Sequence, residues 1–339
     1  MPPAVCNLKG YQWLRDIHTR AYRHLLCVQV ESTRSVTVRV KGEYKTSNIV
    51  SISKAVTSIH RGRIPPPPIQ CKAVLKGRGF KPIFLMKQTP KPPDFIIIGT
   101  QKGGTTSLYN YLIQHPQIAP AAQKEIHYFD FNFDKSPDWY CSQFPQPQTG
   151  ENLLTGEASP YYICHPQVPQ RIHDLCPKVK IIALLRNPVE RAISHYYYYI
   201  KIGYESLSLE EAIAAEPERL KGEIEKLIAN PNYYSYEHQH HSYLTRGIYA
   251  DQLPAWMKLF PKSQLLILKS EDLYTNPFGT YNSVLEFLEL PPHQLQTYEK
   301  YNATQYSPIS ETVYEQLRAY FRSHNERLAQ LCDRDFGWD

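Results

Sequence analysis

Three short stretches of the chain hold side chains that can do chemistry on an anion. K-E-I-H-Y-F-D, Lys124 to Asp130, packs a lysine, two carboxylates and an imidazole into seven residues. Glu125 and His127 are two apart, so an extended chain turns both to one side and sets two proton acceptors together. G-T-Q-K-G-G-T-T, Gly99 to Thr106, is rich in glycine and hydroxyl groups and carries Lys102. Glycines, here Gly103 and Gly104, let backbone N–H groups converge on an anion. The Lys102 ammonium can meet charge growing on a leaving phosphate, and Thr105 and Thr106 add hydroxyl donors. Arg186 ends an apolar run and Ser194 follows it; a guanidinium forks onto a phosphate, and a hydroxyl completes the cradle.

Such groups work only if regular elements hold them. Phe95–Ile98 is a short apolar run that reads as a buried strand, and Leu108, Tyr111 and Leu112 recur at helical spacing. Strand, glycine-rich turn, helix is a way to build a phosphate cradle. Val179–Leu185 is nearly continuous in apolar residues, as a central parallel strand is. Arg186 then falls at a strand's carboxyl edge, where α/β proteins bind ligands. Pro188 suits the first turn of a helix, with Ser194 two turns along. The cradle departs from the triphosphatase loop. Gly99 and Gly104 keep that spacing, but Thr105 follows and the lysine lies two residues before Gly104. The run Ile181–Leu185 ends in Arg186 rather than in a magnesium-binding aspartate. A lysine cradle of this kind suits a phosphate-bearing donor used without magnesium.

T-Q-K-G-G-T-T-S-L resembles the 5′-phosphosulfate loop of sulfotransferases that use 3′-phosphoadenosine 5′-phosphosulfate (PAPS), above all the Golgi heparan sulfate enzymes and their bacterial relatives. Further matches come in the family's order. K-E-I-H-Y-F-D resembles its Glu-x-His-Phe-Phe-Asp run, in which the Glu is the base; the cytosolic hormone and phenol sulfotransferases use a His. K-I-I-A-L-L-R-N-P-V-E-R-A-I-S carries the equivalents of the Arg and Ser that grip the donor's 3′-phosphate. Gly247, Tyr249, Leu253, Trp256 and Phe260 keep the spacing of G-x-Y-x-x-x-L-x-x-W-x-x-x-F, and D-F-G-W-D matches the heparan enzymes' carboxyl terminus. The chain departs from the family where G-E-A-S-P-Y-Y puts Ala158 in place of a lysine, and where Thr106 replaces an arginine of the 3-O-enzymes. Both changes remove positive charge and count against a polyanionic acceptor. The family's two cysteines and Lys-Gly-Arg are also absent from Tyr301–Ser310.

Composition sets the frame. The chain has 339 residues and a net charge of +6, unevenly divided: residues 1–93 carry +14 and residues 94–339 carry −8. The 7 cysteines are scattered without a C-x-x-C, which fits reduced thiols. No apolar run approaches the ~20 residues of a membrane span, so a soluble, cytoplasmic enzyme is expected. Residues 1–92 read as a basic, proline-rich, poorly ordered extension, with organellar targeting as the other reading. Within them 11–26 suits a basic helix, and Val28, Val30, Val36, Val38 and Val40 alternate as in a hairpin. Farther on, 207–229 reads as one long polar helix. Glu237, His238, His240 and His241 stand at spacings poor for a metal site, so this stretch reads as a polar, aromatic acceptor loop. Leu253, Trp256 and Phe260 share a helix face and belong to a core. Ser270–Leu273 can cap a helix, and Val313–Leu331 forms a final amphipathic one.

The expectation is an α/β fold with a central parallel sheet and flanking helices, P-loop-like in the manner of sulfotransferases, over residues 93–339. Its catalytic residues are Glu125, favoured as the base with His127 assisting or substituting for it, and Lys102. Lys102, Gly103, Gly104, Thr105, Thr106, Arg186, Ser194 and Tyr249 bind PAPS, with no metal. The resemblance implies transfer of a sulfuryl group from PAPS to a hydroxyl or amine of a carbohydrate or small molecule, and nucleic acid is not a partner. A P-loop nucleotide kinase or ATPase and a catalytically inactive PAPS-binding module are the alternatives.

Overall fold

The computed structural model describes residues 26–32, 35–40, 90–146, 153–301 and 309–338. Two compact units divide the chain, 1–87 and 88–339. In the first, β1 (Leu26–Ser32) and β2 (Ser35–Val40) pair antiparallel, with Val28 opposite Val38 and Val30 opposite Val36. The expected hairpin is therefore present. The basic helix over 11–25 and the proline run at 65–68 lie outside the described residues.

The second unit is built on five parallel strands: β3 (Phe95–Gly99), β4 (Ile118–Pro120), β5 (Leu154–Ala158), β6 (Lys180–Leu185) and β7 (Leu265–Lys269), in the order β4-β5-β3-β6-β7. β3 is central because it can be buried on both faces. Phe95 and Ile97 face Leu108, Leu112, Tyr281 and Leu285 on one side, while Ile96 and Ile98 face Tyr162, Ile172, Leu253 and Trp256 on the other. Fully burying each such side chain is worth about 1.5–3 kcal/mol, so the alternation fixes the register and the two helical layers together. Gly156 opposite Phe95 allows the close approach, since a Cβ there would sit 2.4 Å from the Phe95 ring. A third cluster, including Val189, Ile193, Tyr243, Leu317 and Phe321, joins the helix Pro188–Lys201 to the helix Glu311–Cys332.

Leu253, Trp256 and Phe260 are core, as their spacing implies, and Phe336 and Trp338 of the terminal motif are buried. The single helix expected over 207–229 is two, Leu209–Arg219 and Glu223–Ala229. Gly222 breaks it, taking φ 75, a left-handed conformation that ends one helix and starts the next. Ser270 begins the helix Ser270–Thr275 but does not cap it; its hydroxyl donates to the Gly103 carbonyl instead. The four described cysteines, Cys141, Cys164, Cys176 and Cys332, are free thiols. Among the described residues no helix is long and apolar enough to cross a membrane.

Candidate active site

β3 lies where the strand order switches direction, with β5 on one side and β6 on the other. A crevice at the carboxyl ends is the expected result, and a cleft of about 790 Å³ opens there. That volume suits a nucleotide-sized ligand. Every strand sends groups to its rim: Lys102 and the turn after β3, Lys124 and Glu125 after β4, Pro160 after β5, Arg186 after β6, Glu271 after β7. Lys102, Lys124, Arg186, Lys201 and Lys300 line it against Glu125, Glu190 and Glu271, so the lining is net positive and fits a phosphorylated ligand.

The turn from Gly99 feeds the helix Thr105–Leu112, whose N-cap Gly104 has φ 94 and supplies no side-chain cap. The first-turn N–H groups and the positive helix end therefore face the cleft, beside the lining residues Gly104, Thr105 and Thr106. Lys102 is held at φ 69, unusual for a residue with a Cβ. Its ammonium lies 4.5 Å from the Tyr198 ring centroid. Burial, Arg186 and Lys201 together push its pKa down to about 8. Arg186 donates to the Lys102 carbonyl at 3.1 Å and to Glu190 at 3.4 Å, which fixes the fork against the turn. Ser194 sits on the cleft wall from the helix Pro188–Lys201, capped by the Asn187 side chain.

Opposite lies the Glu125 end. Glu125 Oε2 meets His127 Nε2 at 3.2 Å, and His127 Nδ1 meets Asp130 Oδ2 at 2.7 Å. The two side chains do come together, but not along an extended strand: His127 takes φ 52, and the chain turns there. Burial alone would lower the His127 pKa. Hydrogen bonds and charge from Asp130 and Glu125 outweigh it and carry the pKa up to about 10. The clamp between two carboxylates thus favours the imidazolium form of the ring. Burial pushes the Glu125 carboxyl up, but His127 and Lys124 outweigh this and hold it below the usual range. It is an ionised, partly exposed carboxylate on the cleft wall.

Lys124 ties the two ends. Its ammonium lies 2.6 Å from Glu125 Oε1 and donates to Thr106 Oγ1 at 2.9 Å. Its carbonyl accepts the Ala158 N–H, so its ammonium stands beside Thr106 and its backbone beside Ala158, the two positions where the sequence departs from the resembled motifs. Glu157, wholly buried, accepts from Ile126 N–H at 3.2 Å, from Ser159 at 2.6 Å and from Tyr140 at 2.7 Å. Burial pushes its pKa up to about 7. This carboxyl anchors the segment that carries Glu125.

The structure thus brings Lys102, Gly104, Thr105, Thr106, Glu125, Arg186 and Ser194 into one cleft, with His127 directly behind Glu125. It does not bring Gly103 or Tyr249 to the wall. The Gly103 N–H is given to the Thr100 carbonyl and its carbonyl accepts from Ser270. Tyr249 is buried and donates to the Arg186 carbonyl at 2.8 Å, holding the end of β6 from behind. The sequence reading did not single out Lys124, Glu190, Lys201, Glu271 or Lys300 as lining groups, and of the four tyrosines 196–199, some of which it expects at a cleft, Tyr198 is the one that lines it. Tyr198 and Lys201 follow Ser194 by one and two helical turns, a signal that was legible. The histidines of 238–241 serve separate partners: His238 the Tyr161 hydroxyl, His240 the Tyr236 carbonyl, His241 the Glu237 carboxylate. No group of three metal-ligating side chains forms among the described residues.

Residues 92–330 match the family described as "Sulfotransferase domain". The membrane-associated sulfotransferase kil1 of Dictyostelium discoideum is 30% identical over 73% of this chain and 66% of its own length. Human heparan sulfate glucosamine 3-O-sulfotransferase 5 is 30% identical over 75% of this chain and 75% of its own. The chain therefore spans between 66% and 75% of these two relatives. The crystal structure of a sulfotransferase from Alicyclobacillus acidocaldarius superposes with a TM-score of 0.61 at 29% identity, covering 73% of this chain and 99% of that one.

Proposed function

The chain belongs to the sulfotransferase domain family and is an enzyme of that class; from this premise we propose that it moves a sulfuryl group from PAPS to a hydroxyl of a carbohydrate. The observation that carries the reading is the pairing, across one cleft, of a lysine–arginine cradle with an ionised carboxylate. The donor supplies the sulfuryl group. Arg186 and Ser194 hold its 3′-phosphate, and Gly104, Thr105 and Thr106 hold its 5′-phosphate at the helix N-terminus. Lys102 neutralises charge gathering on the leaving phosphate.

Glu125 takes the proton from the acceptor hydroxyl. The cationic His127, braced by Asp130, keeps the carboxylate oriented and ionised rather than acting as a second base. Carbohydrate as acceptor is supported by the likeness to heparan sulfate glucosamine 3-O-sulfotransferase 5. The chemistry is proposed to lie wholly within residues 93–339. The test is transfer from labelled PAPS to a panel of glycans and phenols, run on the full chain beside one beginning at Lys91. Labelled product from both supports the reading. Absence of transfer with retained nucleotide binding would favour an inactive binding module, and transfer only by the full chain would give the first 90 residues a part in catalysis.

A further inference from the structure

Beyond the Glu125–His127 pair a chain of ring contacts leads away from the cleft, its exposed tyrosines joined through the buried His240. His127 stacks on Phe131 with centroids 4.8 Å apart, and Phe131 meets the Tyr234 ring at 5.4 Å. Tyr234 leads to His240 at 6.4 Å, and the His240 ring lies 4.2 Å from Tyr236 and 5.0 Å from Tyr204. The rings come from three separated segments, after β4, after the helix Pro188–Lys201, and around the helix Tyr236–His240. Core packing does not account for the outer members. Tyr204, Tyr234 and Tyr236 are 48%, 48% and 41% exposed, whereas Tyr161, under Phe131, is 4% exposed.

The charge of this surface differs from that of the cleft. Past the His127 imidazolium at its inner end, its side chains are phenyl and phenol rings together with His240, whose pKa burial pushes down. Arg246 beneath it is buried and occupied by Gln101 and by the carbonyls of His238 and Gln239. A sulfated polymer would need cations along its length, and the rings beyond His127 offer none. Tyrosine rings instead give broad, rigid contact at low entropic cost, with a hydroxyl at the edge. A sugar ring has the matching form, with C–H faces and a rim of hydroxyls. The surface runs through four successive ring contacts, so a single phenol would cover only one of them.

We propose that this ring surface is the acceptor subsite and that it takes an uncharged oligosaccharide chain, presenting one hydroxyl to Glu125. The inference rests on the reading of the cleft as the transfer site. The test uses the full chain with bound 3′-phosphoadenosine 5′-phosphate on an array of uncharged oligosaccharides and N-sulfated heparan fragments, with 4-nitrophenol in solution. An uncharged oligosaccharide is expected to bind best, and better as a chain than as a monosaccharide. Tyr234→Ala and Tyr236→Ala, both at exposed rings, are each expected to weaken that binding by about tenfold and leave nucleotide affinity unchanged. Preference for the heparan fragment or the phenol, no binding of any uncharged sugar, or unaltered affinity in both variants would overturn the proposal. If the nucleotide itself fails to bind, the reading of the cleft has failed; if it binds and the sugars do not, only the subsite has.

Discussion

The cradle in the cleft and the ring end outside it are held by different means. Lys102 and Arg186 stand just past the ends of β3 and β6, the two strands whose ladder forms the centre of the sheet. Their backbones cannot move without breaking that ladder. The ring end has no strand behind it. Phe131, Tyr204 and Tyr234 lie between regular elements, steadied by ring contacts and by buried carboxylates such as Glu205, which is held by Arg219 and Tyr243. A step repeated identically at every turnover gains from rigid strand ends. Recognition that differs between relatives gains from loops, which tolerate exchange of side chains without loss of the sheet.

If the two ends are separable, variants at one should leave the other intact. Glu125→Gln keeps the shape and removes the proton acceptor. It should cut kcat by about 1,000-fold with the affinity for 3′-phosphoadenosine 5′-phosphate, measured calorimetrically, unchanged. Loss of nucleotide affinity in the same variant would join the two ends into one unit. Arg186→Ala should weaken that nucleotide by about 1.5–3 kcal/mol, roughly 10- to 100-fold, and hardly affect an analogue lacking the 3′-phosphate. Equal losses for both would reduce Arg186 to a brace for the Lys102 carbonyl.

Two smaller effects concern pH. His127→Asn removes an imidazolium that holds the Glu125 carboxyl low. The Glu125 pKa should then rise, moving the acid limb of kcat/KM to higher pH by about one unit; an unmoved limb would break the His127–Glu125 linkage. In the unaltered enzyme Lys102 titrates at about 8. As pH rises through that value the ammonium is lost, so kcat/KM for the donor should decline on the alkaline side, and Lys102→Arg should flatten the decline. A profile that is level to pH 9.5, about 1.5 units beyond, would remove Lys102 from that role.

Much of this was legible in the residues. The central strands announce themselves because burial on both faces demands unbroken apolar runs, and Gly104 and Pro188 punctuate them where helices begin. The ring surface was legible only in part. The aromatic and histidine content of 233–243 suggested an acceptor loop, but Phe131 and Tyr204 join it from distant segments. Glu157 was invisible as an anchor, since a buried glutamate and an exposed one look alike in sequence; only the Tyr140, Ser159 and Ile126 contacts distinguish them. Gly103 was assigned to the ligand because glycine turns offer amides, yet its amide was already taken within the turn. The polar stretch at 207–229 hid its break for the opposite reason: Gly222 was in view, but the helical pattern resumes immediately after it.

The hydrogen bond from Ser270 to the Gly103 carbonyl fastens the cradle turn to the residue that follows β7. With the Gly103 amide bonded to Thr100 as well, this part of the turn is closed by contacts within the protein alone. The ordering that a floppy anion loop would undergo at each encounter has here already happened during folding. If the cleft takes a nucleotide as proposed, its capture is a collision with a finished surface, its rate set by diffusion and by the field of the clustered cations, and slowed by added salt.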